Sequence, residues 1–247
     1  MTWDERQRAM LAEMGYRLPA GPVVQPEPQP EPEPIVVAAP PPAVVRVAVS
    51  APPAAPSHFA GLDLRALREA VSGCRACGLC EQRRHAVFGN GAPVQAPWLL
   101  VTDPPDEADD ASGEALGGDA GRLLDRMLLA ADQRRTGDAA TAFVTPLVKC
   151  RPPRGRAPQP AELDACAAVL ARQAELLRPR LVLAMGERAA RRLTGLAEPL
   201  GRLRGRAHQW RGLPLVVTFH PAYLLRSPAD KAGAWDDLCL ARRTATP

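Results

Sequence analysis

The sequence predicts an α/β protein of three layers, α/β/α, built on a central, mainly parallel four-stranded sheet. Two observations carry that expectation. Four short apolar runs, WLLV (98–101), AFV (142–144), LVLAM (181–185) and LPLVVTF (213–219), have the length and aliphatic content of buried strands. Between them lie helical patterns, GRLLDRMLLAA (121–131), PAELDACAAVLARQAELL (160–177) and ERAARRLTG (187–195). Strands that alternate with helices imply a parallel, doubly wound sheet covered on both faces. Ligands of such sheets bind beyond the C-terminal strand ends. Three of those ends carry unusual chemistry here: TDPPD after the first strand, TPLVKCRPP after the second and HPAYLL after the fourth.

The elements before the first strand differ in kind. Residues 1–18 hold a short helix, with Thr2 and Glu5 as a capping box, Gly15 as the stop, and Trp3, Met10, Leu11 and Met14 on one face. So short a helix is marginal alone and either docks or awaits a protein partner. Residues 19–57 contain 13 of the 28 prolines and read as a disordered, polyproline-like tether. Residues 58–247 then form the folded domain, and nothing in the chain points beyond a monomer.

Composition narrows the setting. No apolar run is long enough to span a bilayer, and MTWDERQRAM lacks the basic start and apolar core of a secretory signal. A cytoplasmic protein without a membrane partner is expected, and its six cysteines point to metal ligation or free thiols more than to disulfides. Residues 1–58 carry four basic and six acidic side chains, so of the formal net charge of +4 the tail contributes −2 and the folded part +6. Only Lys149 and Lys231 are lysines, which with the Ala and Pro excess marks the arginine excess as coding bias towards GC-rich codons and not as selection for phosphate binding. The basic folded part permits nucleic acid without demanding it.

The cysteines are the strongest local signal. CRACGLC supplies Cys74, Cys77 and Cys80; Cys150 follows the second strand and Cys166 lies on the next helix. A CxxC pair with a second pair separated by 15 intervening residues can close a four-thiolate site. Zinc and an iron–sulfur cluster both accept four cysteines, and spacing does not choose between them. Cys77 with Cys80 is a second CxxC register. Cys239, on a C-terminal helix, reads as core.

The cysteine spacing, KCRPP, the strand ending in HPAYLL, and KAGAWDDL together resemble the family 4 uracil-DNA glycosylases, the bacterial and archaeal iron–sulfur class. CRACGLCEQRRHAVFGNG, AGRLLDRML, LRPRLVLAMGERAARRL and GRLRGRAHQW extend the likeness over residues 62–243. It implies a uracil-DNA glycosylase-like fold, a [4Fe-4S] cluster on Cys74, Cys77, Cys150 and Cys166, DNA as partner, and cleavage of the bond between uracil and deoxyribose. Such cleavage needs a flipped base, donors facing the base oxygens, and a carboxylate or polar group near the sugar.

Carried over residue by residue, the resemblance places Asp103 and His220 as catalytic groups. Thr102, Asp103, Pro104, Leu116, Pro146 and His220 become the substrate-binding positions. His220 stands where the family's HP histidine faces a uracil oxygen. Elsewhere the motifs depart from the family. TDPPD replaces GEAPG, so Asp103 is one methylene shorter than the family glutamate, and Pro104 lacks an N–H. Asp106 puts a side chain where a glycine could approach the base or adopt a positive φ. ALGG replaces PFVG, putting Leu116 in place of the stacking phenylalanine. TPLVKC replaces TNVVKC, so Pro146 stands where an asparagine would read the base edge. An unpaired polar edge costs roughly 1–3 kcal/mol.

DNA contacts are expected from Lys149, Arg151, Arg154 and Arg226, with Arg156 nearby. Leu224 and Leu225 follow His220 and either wedge into the gap left by a flipped base or pack in the core. The function implied is base-excision repair through hydrolysis of the N-glycosidic bond of uracil or a related damaged base. A weakly active or inactive DNA-binding relative and a tethered interaction protein stay open beside it. Removal of residues 1–57 is expected to leave the thermal unfolding of the remaining domain unchanged, and a lowered midpoint in the truncated protein would contradict the tether.

Overall fold

A computed structural model describes residues 59–245, so the expected helix in 1–18 and the tether in 19–57 lie outside the described residues. The sheet contains β1 (Asn90–Gly91), β2 (Trp98–Thr102), β3 (Ala142–Pro146), β4 (Leu181–Met185), β5 (Ala207–Trp210) and β6 (Leu213–Thr218). Their order is β1-β3-β2-β4-β6-β5. The four apolar runs form the inner strands, and all three pairings among them are parallel. The sheet has six strands instead of four because short antiparallel strands flank the parallel set.

Both added edges arise from local geometry. β1 is two residues long and carries no apolar run. Gly91, at φ 140°, lies so close to β3 that a Cβ would stand 2.3 Å from the Ala142 carbonyl. β5 forms a hairpin with β6 across Arg211 and Gly212, both at positive φ (50° and 81°). That turn suits the right-handed twist of paired strands.

Alternate strand residues feed two separate cores. Leu99, Val101, Phe143, Val182, Ala184, Leu215 and Val217 pack on one face. They meet Leu67 and Val71 of α1 (Leu64–Ser72). Further helices of the chain are α2 (Glu107–Ser112), α3 (Gly118–Ala130), α4 (Pro160–Leu177), α5 (Glu187–Thr194), α6 (Leu200–Leu203), α7 (Pro221–Arg226) and α8 (Lys231–Ala245). Leu170 and Leu177 of α4 and Leu193 of α5 complete the first face. On the other face Trp98, Leu100, Val144 and Leu183 meet Leu124 and Leu128 of α3 and Leu238 of α8. Each of these buried aliphatic side chains contributes about 1.5–3 kcal/mol of transfer free energy. Helices on both faces make this the expected three-layer fold. Among the described residues, no helix is long and apolar enough to cross a membrane.

The helix boundaries follow ordinary capping chemistry. α4 begins with Pro160 at its first turn and a capping box between Gln159 and Glu162. α5 ends at Gly195, whose φ of 71° provides the left-handed stop.

The register sets the site. Thr102 lies opposite both Pro146 and Met185, and Met185 lies opposite Thr218, so four parallel strands end in one row. The chain leaves β2 for β3 on one side and β4 for β6 on the other. The switch point therefore falls between β2 and β4, where such sheets form a crevice.

One buried ion pair braces the β6 side. Arg204 donates to Asp237 at 2.6 Å, and its guanidinium lies 3.7 Å from the centre of the Phe219 ring. Asp237 is almost wholly buried and also accepts from the Gly205 amide at 3.3 Å. Breaking such a pair leaves an uncompensated charge. Asp237→Ala is expected to cost about 3–5 kcal/mol in chemical denaturation, with part of that loss recovered when Arg204→Ala is added. An unaltered denaturation midpoint in the single variant would show that the pair contributes nothing.

Candidate active site and cysteine centre

The stretch VTDPPDEADD runs from the end of β2 into α2, and its five acids turn out to be structural acceptors. Asp103 projects across the switch point to the start of α5, where its Oδ1 accepts from the Ala189 amide at 2.9 Å. Gly186 makes room for it: a Cβ there would stand 2.6 Å from Asp103 Oδ2, and its φ of 101° suits glycine. Burial pushes the Asp103 carboxyl up, while the Ala189 amide and Arg188 pull it back.

Asp106 caps α2, accepting from the Asp109 amide at 2.9 Å. Its φ is −90°, so this position does not need the left-handed freedom of glycine. Asp109 accepts from the Gly117 amide at 3.1 Å and Asp110 from the Arg84 amide at 3.0 Å. Glu107 pairs with Arg151 at 3.2 Å. An acidic run beside unpaired backbone donors is thus satisfied internally.

The remaining pocket positions lie along the same rim. Thr102 is buried and donates to the Asp103 carbonyl at 2.9 Å. Pro104 is half-buried beside it. Leu116 takes a left-handed backbone at φ 52° and is 5% exposed, packed among Ala115, Leu124 and Leu128. Buried Arg135 holds that turn by donating to the Ala115 and Leu116 carbonyls at 3.0 and 3.2 Å. Asp125 in turn anchors Arg135 at 2.6 Å. Pro146 ends β3 buried, and its carbonyl accepts from Lys149 Nζ at 2.8 Å.

His220 caps α7, with Nδ1 accepting from the Ala222 amide at 3.2 Å. That bond assigns the neutral tautomer with its proton on Nε2, leaving an N–H donor on the far side of the ring. Burial pushes its pKa down to about 4; Asp106 opposes the shift and Arg226 adds to it. His85 and His208 instead meet the backbone carbonyls of Asp110 and Leu203.

Two expected DNA contacts face inward. Lys149 is 2% exposed and bonds to Thr145, Pro146 and Gln173, so its ammonium does not reach a phosphate. Leu224 is fully buried, whereas Leu225 is 42% exposed and is the leucine available at the surface. Arg154 and Arg226 are exposed. Arg151 and Arg154 line an open groove of about 360 Å³ with Gln82, Pro152 and Pro153. Arg156 is held in two bonds to Glu162, at 2.8 and 2.6 Å.

Cys74, Cys77, Cys80, Cys150 and Cys166 line one pocket with Arg83 and Lys149, while Cys239 is absent from its lining. Arg83 donates to the Cys150 sulfur at 3.1 Å. Burial pushes Cys166 up to about 11, eased by its contact with Lys149. Burial also raises Cys77 and Cys150. Among the described residues, no group of three or more Cys, His, Asp or Glu side chains converges on a single-ion site.

Several site residues carry little signal in the sequence. Arg83, Asp109 and Arg135 lie in polar stretches and become meaningful only through distant backbone partners. Gln173 had a readable signal, as the polar residue of α4 between the buried Leu170 and Ala174. The half-buried His220 has a pH consequence. Its stabilising contribution is fully present above the ordinary histidine pKa of about 6.5 and declines as pH falls towards 4. Imidazole NMR is expected to show His220 neutral at pH 6.5 and titrating only near 4, and His220→Gln to remove the matching stability loss; titration near 6.5 would contradict this.

A family model described as the uracil DNA glycosylase superfamily matches residues 88–239. The chain is 36% identical over 187 residues to a type-4 uracil-DNA glycosylase of Pyrobaculum aerophilum, covering 72% of this chain and 93% of that protein. It is 33% identical over 175 residues to one from Saccharolobus solfataricus, covering 68% of this chain and 78% of the relative. For one from Thermotoga maritima the identity is 34% over 165 residues, covering 66% of this chain and 83% of the relative. The matched region holds the row of strand ends, Asp103 and His220, and the alignment with the Pyrobaculum aerophilum protein covers most of the chain. By its sequence and its three-layer fold, the chain belongs to the uracil-DNA glycosylase superfamily and is a relative of its type-4 members.

Proposed function

We propose that this chain is a cytoplasmic, monomeric base-excision repair protein that hydrolyses the N-glycosidic bond of uracil or a related damaged base in DNA. The observation that carries the proposal is the pairing of chemistries beyond the strand ends: a neutral His220 with a free Nε2–H, and the Asp103 carboxylate at the switch point. As the glycosidic bond breaks, its electron pair moves to the base and positive charge grows on the sugar. His220 Nε2–H would stabilise the base oxygen as a neutral donor. Asp103, held by the start of α5, would act as a fixed negative charge beside the sugar. Water adds its oxygen to the sugar carbon, and its proton ends on the departing base.

The cysteine pocket supports a [4Fe-4S] cluster on Cys74, Cys77, Cys150 and Cys166, with Cys80 as a fifth thiol at its edge. Five thiols lining one common space offer the four thiolates that a [4Fe-4S] cluster requires, and the likeness to type-4 uracil-DNA glycosylases favours the cluster over zinc. Such a cluster would tie the segment after α1 to β3 and α4. Arg154, Arg226 and Leu225 would meet DNA at the surface. Arg151 would join them by exchanging Glu107 for a phosphate. Residues 58–247 would carry the chemistry, and residues 1–57 would act as a tethered hook for a protein partner.

A second reading, a DNA-binding relative with little excision activity, is favoured by two positions. Leu116 is committed to the core without an aromatic ring, and Pro146 has no N–H while its carbonyl is held by Lys149. Single-turnover assays on single- and double-stranded DNA containing uracil separate the readings. Cleavage that falls on the order of a hundredfold in both Asp103→Asn and His220→Ala supports the enzyme. Intact DNA binding with no cleavage rules out uracil excision by the native chain. In that case Leu116→Phe combined with Pro146→Asn is expected to raise activity.

A further inference from the structure

Lys149 stands between the cysteine centre and the rim of the site, and its ammonium is fully used. Its three N–H donors meet three acceptors: Thr145 Oγ1, the Pro146 carbonyl at 2.8 Å and Gln173 Oε1 at 3.1 Å. Thr145 and Pro146 are the last residues of β3, level with Val101 and Thr102 of β2, and Asp103 follows directly. Gln173 lies on α4, seven residues beyond Cys166 and therefore on nearly the same helix face. Cys150 is the next residue after the lysine.

The same node holds a third segment. Gln173 Nε2 donates to the Phe88 carbonyl at 2.9 Å, and Thr145 Oγ1 lies 3.0 Å from that oxygen. The Val87 amide donates to the Lys149 carbonyl at 2.8 Å. Residues 87 and 88 follow directly from the segment that contains Cys77, Cys80 and Arg83. Strand end, helix and cysteine loop thus meet at one buried lysine.

We propose that Lys149 is a positioning residue that makes the rim formed by β2 and β3 depend on the cysteine centre. The centre fixes Cys150 and Cys166, and the ammonium transmits their placement to Thr145 and Pro146 through Gln173. The cluster side of this inference rests on the reading given above; the clamp itself rests on hydrogen bonds alone. A merely space-filling lysine would be replaceable by methionine, which has comparable reach and no donors. Methionine fills the space but leaves Thr145 Oγ1, the Pro146 carbonyl and Gln173 Oε1 without this donor, and a buried acceptor left unsatisfied weakens the structure around it. The clamp should then be lost locally.

Two amides report on it without any measurement of catalysis. Leu147 N–H donates across to the Thr102 carbonyl at 2.9 Å, and Val87 N–H donates to Lys149. In the full-length protein, Lys149→Met is expected to retain wild-type iron and sulfide while these two amides exchange about tenfold faster. Cys166→Ala should loosen the same amides in the native background and add little in the Lys149→Met background, a non-additive cycle. Wild-type exchange in a fully loaded Lys149→Met protein, or fully additive effects, overturns the proposal. Should Lys149→Met not fold, Gln173→Met retains the lysine and is expected to loosen Leu147; an unaltered Leu147 amide there overturns it equally. Wild-type protein containing zinc without iron or sulfide would defeat the cluster assignment, while the exchange comparison still decides the clamp.

Discussion

The parallel register that places Thr102 level with Pro146 on one side and Met185 on the other is the constraint on which the site depends. A one-residue slip would turn every inner strand residue to the opposite face and empty both cores. With the register kept, Asp103 and Gly186 leave adjacent strands at the same height. The carboxylate of one can then rest on the backbone of the other and meet the start of α5. His220 follows β6 by one intervening residue, so the same row determines its height as well.

The acidic stretch after β2 shows how backbone accounting shapes a functional loop. Residues that turn sharply from a strand into short helices leave amide donors without partners. Asp103, Asp106, Asp109 and Asp110 accept from four such amides, belonging to Ala189, Asp109, Gly117 and Arg84. The composition that could pass for a solvated acidic loop is therefore a set of caps. In the proposed reaction Asp103 would supply a negative charge beside the sugar. Its engagement with α5 restricts it to an electrostatic part, because a carboxylate seated on Gly186 has little freedom to turn.

Buried polar groups hold the rest of the rim. Arg135 grips the carbonyls around Leu116, and Lys149 grips Thr145, Pro146 and Gln173. Both are expensive groups to bury, and both have their donors matched by acceptors. Their positions explain why basic residues in an arginine-rich chain need not face a polyanion. Arg154 and Arg226 do remain at the surface, where a phosphate can reach them.

By itself the sequence determined the four parallel strands, the helices between them, the cysteine set and the rim location of Asp103 and His220. These features depend on periodicity, on apolar runs and on spacings along the chain, which are local properties. The tertiary structure decided which way individual side chains face. It turned Lys149 and Leu224 inward, left Leu225 outside, added β1 and β5, and gave each acid of VTDPPDEADD a partner. Those outcomes depend on residues distant in sequence: Gly186 and Ala189 for Asp103, Gln173 for Lys149, Asp125 for Arg135. A charge is buried or exposed according to whether the fold supplies its hydrogen-bond partners, and no window along the chain contains that information.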